Sequence, residues 1–135
     1  MRPCRVLFVC IGNACRSQMA EAFARHYGTG VLEPASAGLA PAGFIAPDTV
    51  RVMAEKNIDL QDCQSKGLDH AGEDFDLIVN LSGYRLPPGY TAPVREWDVP
   101  DPVASSLDRH RQVRDQIEGL VKSLVLEFRA GPARI

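Results

Sequence analysis

Two short apolar runs, "RVLFV" at 5–9 and "FDLIVNL" at 75–81, constrain the fold more than any other feature of the chain. A strand with one wet face alternates polar and apolar residues. These runs are apolar on both faces, as strands of a parallel sheet covered on both sides are. Parallel strands need long crossovers, and the intervening sequence supplies helices for them. Met19, Phe23 and Tyr27 recur at i, i+4 and i+8 across 17–27, with Ala20 and Ala24 alongside and Gly28 as a stop signal. Residues 46–57 read as a second helix with Asp48 near its start. Residues 104–129 read as a third, with Val113, Ile117, Leu120, Val121, Leu124, Val125 and Phe128 on one stripe. Residues 30–38 and 92–99 supply two further strand candidates. Strands alternating with helices predict a three-layer, Rossmann-like α/β fold with right-handed crossovers.

The chain has 135 residues, enough for one domain that buries roughly two-thirds of its unfolded surface. Residues 1–129 are assigned to that domain and "AGPARI" (130–135) to a tail. A net charge of −2 and no basic face argue against a nucleic-acid module. The basic run "DRHRQVR" (108–114) reads as a solvated helix face. No segment reaches the ~18 apolar residues of a membrane span, and the apolar run from Val6 to Ile11 is too short for a signal peptide. These features predict a cytoplasmic protein with no membrane partner, in which Cys4, Cys10, Cys15 and Cys63 are thiols. His26, His70 and His110 share no ligand spacing with any cysteine pair, so no metal and no cofactor is expected.

Between the first strand and the first helix lies "CIGNACRS", a C-x5-R pattern from Cys10 to Arg16 followed by Ser17. Each residue type there suits a tetrahedral oxyanion. A helix N-terminus leaves backbone N–H groups unpaired and carries partial positive charge. Gly12 and Asn13 tolerate the left-handed backbone that turns successive N–H groups inward. Arg16 grips two oxygens through its planar fork. The N–H groups of Ile11, Gly12, Asn13, Ala14, Cys15, Arg16 and Ser17 would form the phosphate-binding cradle. Cys10 at its base would be favoured as a thiolate nucleophile, with Ser17 as hydroxyl donor. Neither a Walker motif nor G-x-G-x-x-G is present.

"VCIGNACRSQMAEAF" resembles the active-site loop of the low-molecular-weight protein tyrosine phosphatase family, which includes thioredoxin-coupled arsenate reductases. "SAG" (36–38), "FDLIVNLS" (75–82), "REWDVPDP" (95–102) and "RQVRDQIEGLV" (111–121) follow in the family's order. The resemblance implies a four-stranded parallel sheet flanked by helices, the phosphotyrosine phosphatase I-like fold. It implies Cys10 as nucleophile, Arg16 as oxyanion clamp, Asn13 and Ser17 as loop-holding residues and Ser36 as a partner of the loop asparagine. It points to Asp101 as general acid, with Asp98 as fallback, although an Asp-Pro step also initiates turns. In the family a cysteine at the place of Cys15 forms a reversible disulfide with the nucleophile. A small thiol filling space is the alternative.

Thioredoxin-coupled reductases carry two relay cysteines after the central strand, where this chain reads "VNLSGYRLPPGY". Ser82 stands at the first relay position, and Cys63 precedes the strand. An internal three-cysteine relay is therefore absent. With Asp101 retained, the sequence favours a phosphatase acting on phosphotyrosine, either in a phosphorylated protein or in a small phosphoester. Tyr84 and Tyr90 would wall its pocket or simply cover the core. The alternative is an arsenate reductase resolved by a small thiol such as glutathione or mycothiol.

Overall fold

The computed structural model describes residues 2–130, so most of the expected tail lies outside the described residues. Four strands form one sheet: β1 (Cys4–Cys10), β2 (Leu32–Gly38), β3 (Leu77–Asn80) and β4 (Val94–Glu96). Their order is β2-β1-β3-β4, and every pairing is parallel. Three helices accompany them: α1 (Arg16–Tyr27), α2 (Pro47–Ala54) and α3 (Leu107–Arg129), with a 3-10 turn at Leu68–His70. This is the four-stranded parallel sheet flanked by helices that the family resemblance implies, with the two apolar runs as its central strands.

Both faces of β1 are covered, by layers of unequal depth. Val6, Phe8 and Cys10 face a large core with Met19 and Phe23 of α1, Val52 and Met53 of α2, and Val113, Ile117 and Leu124 of α3. Leu7 and Val9 face a thinner layer with Ala37 and Ile78, packed beneath Leu39, Leu68, Phe75 and Leu86. Phe8 and Phe23 are wholly buried, and truncating either to alanine would cost about 3–5 kcal/mol.

Element ends follow local chemistry. The amide of Gly28 donates to Ala24 O at 2.8 Å, and a Cβ there would lie 2.7 Å from that carbonyl, so glycine is required where α1 stops. Ser106 caps α3 by accepting from the Arg109 amide at 3.1 Å. The second helix is shorter than its periodicity suggested, because the chain leaves α2 through tight turns to Asn57, whose φ is +62°. The 92–99 strand candidate contracts to Val94–Glu96, since Pro93 and Pro100 lack the N–H that a ladder needs.

The basic run at 108–114 corrects the reading of a wholly solvated face. His110 and Arg114 are buried, and Arg114 donates to Val52 O and to the Glu55 carboxylate. Arg111 grips the same carboxylate, so the run fastens α2 to α3. Among the described residues no helix is long and apolar enough to cross a membrane, and no group of three His, Cys, Asp or Glu could hold a metal ion. Because all strands run the same way, the loops after Cys10, Gly38, Asn80 and Glu96 gather at one edge of the sheet.

Candidate active site

The loop after β1 turns its carbonyls outward. Leu39, Ala40, Ala42 and Ala46 donate their amides to Cys10 O, Ile11 O, Gly12 O and Ala14 O at 2.8–3.0 Å. Gln18 Nε2 donates to Asn13 O at 3.1 Å, and Met19 N to Cys15 O at 2.9 Å. With each carbonyl held from outside, the amides point the other way. Among the described residues, no backbone N–H from Ile11 to Arg16 donates to a protein acceptor. Asn13 adopts φ +49°, the left-handed step that closes the concavity. No side chain caps α1, and its first turn holds no acidic residue, so its partial positive charge faces the same space.

Gly38 permits this packing. A Cβ on it would lie 2.7 Å from Ile11 O and 2.8 Å from Asn13 N, so β2 can approach the loop only with glycine there.

The thiol of Cys10 is buried at the end of β1. Its sulfur lies 2.8 Å from Ser17 Oγ and 3.4 Å from the Ser17 amide. Asn13 Nδ2 donates to Ser17 Oγ at 2.8 Å and to Ser36 Oγ at 3.0 Å. Ser17 Oγ thus accepts from Asn13 and shares with the sulfur a hydrogen bond in which either atom can donate. The sequence-predicted cradle, nucleophile and loop-supporting residues therefore stand together.

Arg16 is 5% exposed, and its Nη1 is fully committed. It donates to Leu81 O at 2.5 Å and Val99 O at 3.0 Å, joining the loops that follow β3 and β4. Its Nη2 faces Asp101 Oδ2 at 3.5 Å. The Asp101 carboxylate is 41% exposed and also accepts from the Val103 amide at 3.1 Å, the Asx turn expected of Asp-Pro. Turn-making and placement opposite Arg16 thus coexist in one residue. Asp98 lines a recess of about 170 Å³ together with Arg16 and Glu96.

Cys15, buried behind the loop, has its thiol pushed up to about 12, chiefly by burial and against a weaker downward pull from Thr49. The buried Thr49 hydroxyl beside it has no other partner. All four cysteines are free thiols. Ser82 is buried, and its hydroxyl donates to Asn80 Oδ1 at 2.6 Å while accepting from the Tyr84 amide at 3.0 Å. It serves as a turn brace. Tyr84 and Tyr90 line a cleft with Pro87, Pro88 and Val94 that adjoins the recess beside Arg16, the two sharing Gly83 and Glu96.

Sequence reasoning overlooked the backing of the cradle. Gln18, 2% exposed, donates to Asn13 Oδ1 at 2.9 Å and to Gln64 O at 3.0 Å as well as to Asn13 O. Ser65 Oγ donates to Gly12 O at 2.9 Å, and the Lys66 amide to Asn13 Oδ1 at 2.9 Å. The one available signal was a polar Gln18 followed by Met19 and Ala20 in the first turn of a helix whose outer face begins later. Nothing local marks 64–66.

Residues 5–132 match the family described as "Low molecular weight phosphotyrosine protein phosphatase". A glutaredoxin arsenate reductase from Synechocystis sp. is 34% identical over 92% of this chain and 98% of its own. Among solved structures, an arsenate reductase in the phosphate binding state superposes with a TM-score of 0.85. It is 33% identical and covers 95% of this chain and 99% of its own. A YwlE arginine phosphatase, solved as a mutant with a phosphorylated active site serine, has a TM-score of 0.75. It is 25% identical and covers 93% of this chain and 95% of its own.

Proposed function

Since the chain belongs to the low molecular weight phosphotyrosine protein phosphatase family, we propose that it is an arsenate reductase in which Cys10 is the nucleophile and a small external thiol the reductant. The likeness that carries this reading is 33–34% identity to arsenate reductases over nearly the whole chain, against 25% to the phosphatase. It reverses the order suggested by Asp101 and the missing relay cysteines, which put ester hydrolysis first.

In this reading the inward amides and Arg16 hold arsenate, a tetrahedral oxyanion like phosphate. The Cys10 thiolate attacks arsenic, and one arsenate oxygen leaves as water after protonation, with Asp101 as the donor. A thiolate from glutathione or mycothiol then attacks the Cys10 sulfur. Its S–S bond forms as the S–As bond breaks, and arsenic keeps the electron pair, falling from As(V) to As(III). A second thiol reduces the mixed disulfide and restores Cys10. Two thiols are oxidised for each arsenate reduced, so electrons balance without an internal relay. Glutaredoxin, named for the Synechocystis relative, suits the last exchange. We place the activity in the cytoplasm, where a reduced thiol pool is available.

The test is arsenite formation from arsenate with glutathione or mycothiol, with and without glutaredoxin. Arsenite should appear with two thiols consumed, and Cys10→Ser should abolish it. Hydrolysis of an aryl phosphate that arsenate only inhibits competitively, with no arsenite formed, would overturn the proposal in favour of the phosphatase reading. Asp101, set opposite Arg16, is the observation that favours that second reading. Under either chemistry Asp101→Asn should slow departure of the leaving oxygen by about a hundredfold.

A further inference from the structure

We propose that the groove leading away from Arg16 is the site of the reducing thiol, and that Glu96 and Arg85 select there a thiol bearing both an ammonium and a carboxylate, as glutathione does. The proposal rests on the reductase reading and narrows the external thiol which that reading leaves open. Two hollows make up the groove. The recess of about 170 Å³ beside Arg16 is lined by Leu81 and Gly83 after β3 and by Trp97, Asp98 and Val99 after β4. Arg16 donates to Leu81 O and to Val99 O, so the anion clamp itself ties these two walls together. The cleft of about 460 Å³ continues from the recess through Gly83 and Glu96, and Tyr84, Pro87, Pro88 and Tyr90 wall it. A hollow of several hundred Å³ beside a reactive group is of the size that small molecules occupy.

The charges of this groove are held in place and left unspent. Asn80, buried at the end of β3, donates through Nδ2 to Tyr84 O at 2.8 Å and to the two Glu96 carboxylate oxygens at 3.1 and 3.3 Å. One amide therefore fixes the carboxylate against the wall of the cleft. Among the described residues no cation pairs with Glu96 or Asp98, and Arg85 has neither an ion pair nor a hydrogen bond. The groove thus offers a carboxylate where its two hollows meet, a second in the recess and a guanidinium in the cleft. Glutathione carries one ammonium and two carboxylates at neutral pH. Glu96 can accept from the ammonium while the Arg85 fork grips a carboxylate. Mycothiol, an uncharged sugar thiol, satisfies neither group. With the thiolate delivered beside Arg16, the exchange follows as above: its S–S bond to Cys10 forms while the S–As bond breaks and leaves its electron pair on arsenic.

The full-length protein is assayed for arsenite formation at saturating arsenate with thiols that differ in charge. Glutathione has both charged groups, cysteamine only the ammonium, 3-mercaptopropionate only the carboxylate and 2-mercaptoethanol neither. Glu96→Gln keeps an oxygen for Asn80 Nδ2 and removes the charge. Measured against 2-mercaptoethanol, it should lower kcat/KM about fivefold for glutathione and cysteamine, and not for 3-mercaptopropionate. Arg85→Ala should lower it by a similar factor for glutathione and 3-mercaptopropionate, and not for cysteamine. Because each variant serves as its own control across the thiols, a general loss of folded protein cancels. Losses shared by every thiol, or a preference for glutathione that survives both substitutions, would overturn the proposal.

A second measurement needs no turnover. S-methylglutathione keeps every charge of glutathione and cannot form a disulfide. Titrated by NMR into protein saturated with phosphate, it should shift the backbone amides of Gly83, Tyr84 and Glu96, with its Kd raised about fivefold in either variant. Shifts confined to other parts of the molecule, or none, would overturn the groove assignment. A protein that makes no arsenite with any thiol yet hydrolyses an aryl phosphate would sink the reductase reading instead, and the titration would then judge the groove by itself.

Discussion

A missing Cβ at Gly38 decides how closely β2 can approach the anion loop. The backbone around Ile11–Asn13 sits where that carbon would go, at 2.7–2.9 Å, and none of the atoms it meets belongs to a flexible side chain. Gly38→Ala therefore has to push the loop or the strand aside, at a cost of about 1–3 kcal/mol. Because the displaced atoms belong to the cradle, phosphate affinity should fall together with the melting temperature. Calorimetry and thermal unfolding on one preparation check this. A stable variant with unchanged phosphate affinity would show that the loop has slack the close contacts do not suggest. Gly12 offers the contrast. A Cβ there meets Ala42 Cβ at 3.5 Å, an ordinary contact, so Gly12→Ala should disturb stability far less than Gly38→Ala.

At the scale of elements, α2 and α3 are joined by a charged clamp in which Glu55 takes Arg111 and Arg114 together. Hydrogen bonds from the two guanidinium groups hold the Glu55 carboxyl down to about 2, from an ordinary value of 4.5. A depressed folded-state value contributes stability above the unfolded value. That contribution disappears as pH falls from about 4.5 through 2. Stability should therefore drop over this acidic window, and Glu55→Gln should flatten the drop while slightly lowering stability at neutral pH. Thermal melts of both proteins from pH 2 to 7 check it, and parallel curves would remove Glu55 from the explanation. This clamp was illegible in "DRHRQVR", because charge on a helix usually faces water and the partner lies 56 residues earlier at Glu55. The strands and α1 were legible because their signals are local: apolar runs, a 3.6-residue stripe and a glycine stop. The cradle was legible for the same reason, being contained in Cys10–Ser17. Its backing by Ser65 and the Lys66 amide was not, since contacts between segments some 50 residues apart leave no periodic trace.

Across the whole molecule, the parallel sheet gathers its chemistry at one edge and distributes its thiols elsewhere. Cys4 opens β1 while Cys10 closes it, so their backbones are about 20 Å apart along the strand. Burial also pushes the Cys4 thiol up to about 11, which makes it a poor nucleophile at neutral pH. Cys63 is exposed on a cleft with Glu21 and Arg25, on the outer side of α1. Cys15 shares the loop but is protonated at neutral pH and packed in the core, and Ser82 offers a hydroxyl tied into a turn. Cys4, at the far end of the strand, and Ser82, tied into its turn, are not placed to take over a bond from Cys10. A protein retaining Cys10 alone, made by Cys4→Ala, Cys15→Ala and Cys63→Ser, should therefore still reduce arsenate with glutathione or mycothiol. Its kcat should lie within about threefold of wild type, the small loss reflecting repacking around the buried thiols. Its resting product after one turnover without excess thiol should be a mixed disulfide on Cys10. A folded Cys10-only protein that forms the arsenic adduct yet releases no arsenite would show that a second cysteine of this chain completes the reaction. Restoring Cys15 by itself would then say whether the thiol in the same loop is the one that does so.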